Sequence, residues 1–268
     1  MSEEEDCNVH DLANQLSSEN DCDIIIINKP VFSPFDTDLA QLTRSRKHRR
    51  KNVYVILVTE GGSGEVAYRA CRMLQMTYRH ITVVVSGWCK SAGTLFCAGA
   101  NDLIVSRDGE LGPIDVQLRR SDEIGERDSG LAIDAAFDGL SEASLKLFEK
   151  YMLGIKEKSF GSVTFKTAAD IAAQMAVGLV APIFAQLDPI KVGEIHRSVR
   201  VAEEYAKRLS MIGQNIKRDS DFDAINMLVR GYPSHGFVID FIEAHLIFKR
   251  LSLAKRPSAN MLSHLNQM

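Results

Sequence analysis

The hydrophobic positions in the N-terminal half of the chain form short runs, and helical patterns separate these runs. Four runs rich in β-branched residues have the length and composition of buried strands: Asp23–Asn28, Val53–Thr59, Ile81–Ser86 and Leu103–Ser106. Between the second and third runs, Val66, Ala70, Met73 and Leu74 recur at helical spacing and are predicted to face a sheet. This alternation predicts an α/β fold with a parallel, right-handed sheet and helices on its faces.

Further helices are predicted from apolar periodicity and from residues that can cap a helix. Three of them have a candidate cap: Asp36 for 34–46, Ser141 for Leu140–Tyr151 and Asp240 for Phe241–Arg250. Two more are Lys191–Met211, which is amphipathic, and Phe222–Arg230. The chain after the predicted sheet is therefore expected to be mainly helical.

One segment, Thr167–Leu187, is apolar enough to raise the question of a membrane span. Asp170, Gln174 and Pro182 interrupt it, and its alanines keep its hydrophobicity low. These interruptions favour a helix that is buried or lies at a subunit interface. Membrane association is the less favoured alternative.

Composition and charge narrow the function classes. The formal net charge of -3 gives no reason to expect a nucleic-acid partner. The basic run Arg44–Lys51 is predicted to be a solvated helix end, and a phosphate or membrane-surface patch is its alternative. The acidic N-terminus lacks the apolar stretch of a secretory signal, so cytoplasmic residence is the expectation.

The cysteines and histidines predict neither a disulfide framework nor a metal site. The five cysteines are an odd number without CxxC spacing, which favours a reducing compartment. Cys71 and Cys97 are expected to be buried as small apolar residues, whereas Cys89 could be a reactive thiol. No metal-ligand spacing is present, and no cofactor is implied.

The chemistry that the sequence predicts lies in the turns after two of the strands. Gly61 and Gly62 follow one strand, and Ser91 follows the next. In an open α/β sheet, ligands bind beyond the carboxyl ends of the strands. A glycine pair exposes backbone N–H groups, and a serine at a helix start lies where negative charge is favoured. We therefore interpret these turns as an oxyanion hole and a nucleophile; a tight turn and an N-cap serine are the alternatives.

The ordered series of motifs resembles the Clp protease/crotonase superfamily, and within it the signal-peptide-peptidase-like family of serine dehydrogenase proteinases. The resemblance covers residues 23–117 and, more loosely, 180–250. The matching segments are Gly61-Gly62, Ser91-Ala92-Gly93-Thr94, Asn101–Val105, Leu111–Gln117 and Tyr232–Gly236. The resemblance implies a Clp/crotonase-type core, a peptide or protein substrate and a homo-oligomer. It also implies Ser91 as nucleophile and an oxyanion hole at Gly61, Gly62 and Ala92.

The resemblance does not by itself identify the general base. Clp proteases have a histidine not far beyond the serine, but 114–117 reads Ile-Asp-Val-Gln. His235 lies where those proteases place their third triad member, and histidine suits a base near neutral pH. Signal peptide peptidases use a lysine, for which Lys191 is a candidate.

Other residues near these motifs have weaker candidate roles. Lys146 and Lys150 are further candidates for a lysine base, whereas the side chain of Lys90 is expected to diverge from Ser91. Asp115 and Gln117 are expected to shape the substrate cleft or a subunit contact, or to be turn residues. His235 and the lysines therefore remain alternatives for the general base.

The sequence thus predicts a mobile acidic tail over 1–22, a Clp/crotonase-like domain over 23–250 and a loose tail over 251–268. Within the domain, 118–166 is expected to be an insertion or lid and 167–230 a helical assembly region. The favoured function is a serine peptidase. A crotonase-like acyl-CoA enzyme and a catalytically silent interaction module are the alternatives.

Overall fold

The computed structural model describes residues 3–114, 117–119, 127–186, 188–219 and 222–254. The chain forms two compact units, one of residues 1–116 with 199–268 and the other of residues 117–198. The helices are α1 Glu3–Asn20, α2 Phe35–Ser45, α3 Gly64–Thr77, α4 Ala92–Cys97, α5 Gly130–Lys158, α6 Phe165–Phe184, α7 Pro189–Gly213, α8 Ala224–Arg230 and α9 Phe241–Ile247. The strands are β1 Cys22–Asn28, β2 Asn52–Thr59, β3 His80–Cys89, β4 Asp102–Val105, β5 Glu110–Leu111, β6 Gln117–Arg119, β7 Arg127–Ser129, β8 Arg218–Asp219, β9 Phe222–Asp223 and β10 Leu251–Leu253.

The first unit is built on a parallel sheet with the strand order β1-β2-β3-β4-β10. Every pairing along this path is parallel, and β5 continues the pairing with β3 beyond the end of β4. The register of β2 against β3 shifts between Leu57 and Thr59, so that Thr59 pairs with Cys89. The predicted parallel α/β sheet with flanking helices is confirmed, and the carboxyl ends of β2 and β3 lie side by side.

Helices cover both faces of this sheet. On one face, Leu12 and Leu16 of α1 pack against Ile56 and Val84 in the centre of the sheet. The prediction of a polar tail did not include this helix, because its apolar residues form only a narrow stripe on an otherwise polar segment. On the other face α3 buries Val66, Ala70 and Leu74, as its periodicity predicts, whereas Met73 is half-buried. Ala67 and Cys71 are buried as well.

The predicted caps had mixed outcomes. Asp240 caps α9, because its Oδ1 accepts a hydrogen bond of 2.8 Å from the Glu243 N–H. Asp36 does not cap α2 and instead accepts a 2.6 Å bond from Arg69 on α3, which lowers the pKa of that carboxyl. Ser141 lies inside α5 and donates to the Phe137 carbonyl oxygen. Both errors arose because a capping residue type has other partners in three dimensions.

The C-terminal segment begins as part of the sheet, where the sequence predicts a loose tail from residue 251. β10 pairs with β4, and Asn215 connects this segment to the end of α7. The fully buried Asn215 donates from Nδ2 to the Arg250 carbonyl oxygen (3.1 Å) and accepts from the Arg250 N–H at Oδ1 (2.6 Å). A single amide side chain therefore satisfies both backbone groups of one residue.

Replacing Asn215 by alanine is expected to lower the free energy of unfolding by about 1–3 kcal/mol, because the Arg250 N–H loses its acceptor, whereas the Arg250 carbonyl oxygen keeps the Leu103 N–H at 3.0 Å. Urea denaturation followed by circular dichroism measures the change. Asn226 is the matched control, since its side chain is exposed on α8 and Asn226→Ala should change stability by less than about 0.5 kcal/mol. Equal stability of the two variants would contradict the structural role of Asn215.

The second unit contains a helical hairpin of α5 and α6. Ala168, Ala172, Ala176 and Val180 form the buried stripe of α6, and Thr164 caps the helix by accepting from the Thr167 N–H. The Phe137 and Phe184 rings meet edge to face, 5.7 Å apart, at the far end of the hairpin from the connecting loop. Small residues thus allow close approach of the two helices.

Most of α6 is exposed, although a buried helix was one of the two expectations for this segment. Among the described residues, α6 is the one helix long and apolar enough to cross a membrane, with a mean hydropathy of 1.5, and 22% of that stretch is buried. Ile171, Met175 and Leu179 form an exposed apolar stripe beside the buried one. The prediction of burial within the chain is wrong for this face, and the expectation of a subunit interface stays a prediction.

Candidate active site

The turns that follow β2 and β3 lie next to each other. Thr59, the last residue of β2, pairs with Cys89, the last residue of β3. The Lys90 N–H donates a 3.0 Å hydrogen bond to the Thr59 carbonyl oxygen and so continues the contact past the strand ends. The Gly61-Gly62 turn and Ser91 therefore start from adjacent positions.

Gly61 contacts the turn that carries Ser91. A β-carbon placed on Gly61 would lie 3.1 Å from Cβ of Ser91 and 3.0 Å from the carbonyl oxygen of Lys90. Gly61 also has φ +107°, a conformation that residues with a side chain rarely adopt. Both the space and the backbone conformation require glycine, and the two turns meet as the sequence predicts.

Ser91 is buried and has an unusual backbone conformation. Its φ of 49° and ψ of -105° lie outside the regions that side-chain-bearing residues normally occupy, at a cost of about 1–3 kcal/mol. Its carbonyl oxygen accepts from the Leu95 N–H (3.0 Å), which starts α4, but its hydroxyl does not cap that helix. Ser91 therefore holds the N-cap position of α4 without a side-chain cap. Strain of this kind is concentrated at functional sites.

The N–H of Gly62 points away from Val31. Val31 forms a parallel bridge with Gly62, in which the Val31 N–H donates to the Gly61 oxygen and the Ser63 N–H donates to the Val31 oxygen, both at 2.8 Å. Because neighbouring peptide groups of a strand point in opposite directions, the Gly62 N–H faces away from Val31. A β-carbon on Gly62 would overlap the Val31 carbonyl group.

The N–H of Gly61 is already used within the turn. It donates to the Thr59 hydroxyl oxygen at 3.1 Å, and Thr59 is buried at the end of β2. Gly61 therefore leaves space beside Ser91 but has no N–H available for an oxyanion. A backbone N–H donor at this turn has to come from Gly62. The sequence motif alone assigns both glycines to the oxyanion hole and gives no role to Thr59, although its position as the last residue of the strand was an available signal.

Thr94 connects α4 to two neighbouring segments. Its hydroxyl donates to the Cys89 carbonyl oxygen (3.0 Å) and accepts from the Gly112 N–H (3.2 Å). The first bond fixes the turn around Ser91, and the second fixes the Leu111–Ile114 segment against it. Thr94 was part of the matching motif, but its structural role could not be predicted without these partners.

His235 lies in the loop between α8 and α9 and is half-buried. Ile239 of the same loop forms an antiparallel bridge with Leu111, through bonds of 2.9 and 3.0 Å. Leu111 in turn pairs with Cys89, two residues before Ser91. The loop that carries His235 is thus attached to the strand that pairs with β3 at the site.

The candidate lysines differ in their surroundings. Lys90 extends its Nζ to Glu110 (2.8 Å) and to the Leu111 oxygen (3.1 Å). Lys146 is exposed and pairs with Glu142 at 2.7 Å, and the hydrogen bond to that carboxylate raises the pKa of Lys146, the opposite of what a base requires. Lys191 lies in α7 within the second unit, and its side chain is outside the described residues.

Three further candidate residues lie in the second unit or outside the described residues. Asp115 lies outside the described residues, and Gln117 begins β6, with its side chain also outside them. Lys150 lies on α5 and is exposed.

The four described cysteines are buried thiols. The Sγ atoms of Cys89 and Cys97 are 3.7 Å apart beneath the Ser91 turn. Burial raises the pKa of Cys71 to about 12, and burial followed by the contact with Cys89 raises the pKa of Cys97 well above its ordinary value. The expectation that Cys71 and Cys97 behave as small apolar residues is confirmed.

These raised pKa values predict slow alkylation. At pH 8 iodoacetamide should leave Cys71 and Cys97 unmodified in the folded protein and modify both in urea, as mass spectrometry can measure, because the thiolate is the reactive form. The folded state holds the thiol protons of Cys71 and Cys97 more tightly than the unfolded state does. The two buried thiols therefore contribute fully to stability below their unfolded-state pKa, and this contribution is lost as the pH rises from there through the folded-state pKa. Rapid native modification of Cys89 would instead support the reactive-thiol alternative.

Comparisons with known proteins give similarity in structure only. No family model matches the chain, and no curated protein sequence matches it. An asparagine-to-aspartate mutant of ClpP1 from Listeria monocytogenes has a TM-score of 0.32 and 16% identity over 36% of this chain and 58% of that one. This chain thus spans little more than half of that protein.

Two other solved structures are similar at the same level. ClpP1 from Listeria monocytogenes has a TM-score of 0.33 and 13% identity over 60% of this chain and 84% of that one. A serine-to-alanine mutant of 1510-N, a membrane-bound stomatin-specific protease, has a TM-score of 0.35 and 12% identity over 55% of this chain and 67% of that one.

Proposed function

We propose that this chain is a serine peptidase that cleaves peptide bonds through an acyl-enzyme on Ser91. The observation that carries the proposal is the meeting of the two turns, in which a β-carbon on Gly61 would lie 3.1 Å from Cβ of Ser91. A buried serine with a strained backbone is thereby adjacent to a turn whose Gly62 N–H points away from Val31. This combination supports acyl transfer over a purely structural turn.

In the proposed reaction, Ser91 Oγ attacks the carbonyl carbon of the peptide bond while a base takes its proton. The N–H groups of Gly62 and Ala92 donate to the resulting oxyanion, and each such donor is worth about 3 kcal/mol in other enzymes. The C–N bond then breaks, and the protonated base gives its proton to the leaving amine. Water, activated by the same base, hydrolyses the ester and restores Ser91.

His235 is the proposed base. The attachment of its loop to Leu111, which itself pairs with the end of β3, supports this choice over a residue of the second unit. Histidine also exchanges protons readily near neutral pH. Lys191 is the alternative base, and a lysine in that role would need a desolvated, neutral amine.

The exposed stripe of α6 supports a proposal about assembly. Ile171, Met175 and Leu179 present apolar side chains to solvent along three helical turns. We propose that the helical region packs against further copies of the chain and that the enzyme is a homo-oligomer.

The proposed chemistry uses protein groups and water alone.

Labelling by a fluorophosphonate tests the nucleophile directly. The probe should modify Ser91, and Ser91→Ala should abolish the labelling while the circular dichroism spectrum is unchanged. Ser63→Ala is the matched control: Ser63 lies in the neighbouring turn and caps α3, so its loss should leave labelling intact.

Two outcomes would overturn the proposal. Labelling that persists in Ser91→Ala would assign the reactive hydroxyl elsewhere. Absence of labelling, combined with hydrolysis of acyl-CoA thioesters, would favour the crotonase-like alternative, in which paired N–H donors act without a nucleophilic serine.

A further inference from the structure

The tip of the α5–α6 hairpin, residues 156–166, has two features that the proposed peptidase chemistry does not use. Phe160 is 98% exposed and Phe165 is 64% exposed, so two aromatic rings project into solvent within one short connection. The same segment contains three lysines and one glutamate, which gives it a formal charge of +2. Aromatic and cationic side chains are thus concentrated at one end of the hairpin.

The tip is an ordered turn that holds Phe160 outward. The Phe160 N–H donates to the Glu157 oxygen at 3.1 Å, and the Ser162 N–H donates to the Ser159 oxygen at 2.9 Å. Lys156 crosses the connection, since its Nζ donates to the Val163 oxygen at 2.6 Å and lies 4.8 Å from the centre of the Phe165 ring. These bonds fix both ends of the turn around the projecting ring.

Phe160 is unfavourable in water for two independent reasons. Its large apolar ring is almost fully hydrated, and its φ of +49° is a conformation that suits glycine or asparagine far better than a bulky residue. Among the residues that the structure describes, none covers the ring, which is left in solvent. A partner that removes the ring from water would offset both.

The size and charge of the tip decide which partner fits. A stable protein interface needs about 800 Å² from each side, which two projecting side chains cannot supply. A bilayer surface accepts isolated aromatic rings at the headgroup level, and anionic lipids attract nearby lysines. Lys158 and Lys166 are exposed on either side of Phe160. The charge therefore favours an anionic lipid surface over a neutral one.

We infer that the tip of the α5–α6 hairpin docks the protein on membrane surfaces that contain anionic lipid. Phe160 and Phe165 enter the headgroup region, and Lys158 and Lys166 pair with lipid phosphates and carboxylates. The hairpin contacts the surface at this one end, so docking is peripheral and reversible. The inference is independent of the proposed peptidase chemistry.

Co-sedimentation of the full chain with vesicles tests the inference. Binding should be clear with about 30 mol% phosphatidylserine in phosphatidylcholine and at least about fivefold weaker with phosphatidylcholine alone, because each lysine near an anionic surface contributes about that factor. A tenfold rise in salt, to about 0.5 M, should release the protein. The double variant Phe160→Ser, Phe165→Ser should bind at least about tenfold less.

The matched control is Met76→Ser on α3, which removes an apolar side chain whose exposure (82%) lies between those of Phe160 and Phe165. It is on another surface, so vesicle binding should be unchanged. Absence of binding to anionic vesicles, or equal loss in Met76→Ser and the double Phe variant, would overturn the inference. So would a concentration-dependent oligomer in analytical ultracentrifugation that the double Phe variant dissolves, since the tip would then contact a second copy.

Discussion

Gly61→Ala is expected to lower the rate of acylation of Ser91 by about 100-fold or more while the parallel sheet stays folded. The new methyl group would lie 3.1 Å from Cβ of Ser91 and 3.0 Å from the Lys90 oxygen, closer than side chains normally approach. The Ser91 turn must therefore move, and a shift of about 1 Å in a reacting group is enough for a loss of this size. Fluorophosphonate labelling kinetics measure the rate.

Gly64→Ala is the control for this variant, because it adds the same methyl group three residues later at the start of α3. There the β-carbon would lie 3.6 Å from Leu95 Cδ2, an ordinary contact, and the rate should stay within about threefold of the parent. If Gly61→Ala acylates as fast as Gly64→Ala, the two turns do not act on one carbonyl. Urea denaturation separates a local shift from loss of fold.

The sequence was enough to predict that these two turns lie next to each other. It was not enough to predict which backbone N–H groups of the turns are already hydrogen-bonded and which can act as donors. Two buried strands in sequence, each followed by small residues, place both turns at one edge of a parallel sheet. Which N–H groups remain available depends on side-chain partners. Thr59 takes the N–H of Gly61, and Val31 sets the direction of Gly62, and neither contact has a signature in the sequence.

Helices at the periphery were harder to predict for a related reason. α1 has few apolar residues. Leu12 and Leu16 matter because they cover the centre of the sheet, which would be exposed without them. α6 has the opposite composition, but an apolar sequence alone does not say whether its partner belongs to the same chain. A helix face is buried only if another surface packs against it. The amphipathicity of a helix therefore predicts burial only when that second surface is also known.

His235→Ala is expected to lower the acylation rate by about 10⁴-fold, the size of loss that removal of a triad member causes in serine proteases. Ser91 would keep its position and the Gly62 and Ala92 donors would remain, so a residual rate above that of the uncatalysed reaction should persist. Imidazole in the buffer should restore part of the rate, because a small base can enter the space left by the side chain. A purely structural role of His235 would not give this rescue.

Ser234→Ala and Lys191→Ala are the comparisons that make the His235 result decisive. Ser234 precedes His235 in the same turn and contributes its backbone oxygen to the Phe237 N–H at 3.1 Å, so removal of its hydroxyl should preserve the loop and the rate. Lys191→Ala should also acylate at the parent rate if His235 is the base. The reverse pattern, with a 10⁴-fold loss in Lys191→Ala and none in His235→Ala, would transfer the role of the base to the lysine.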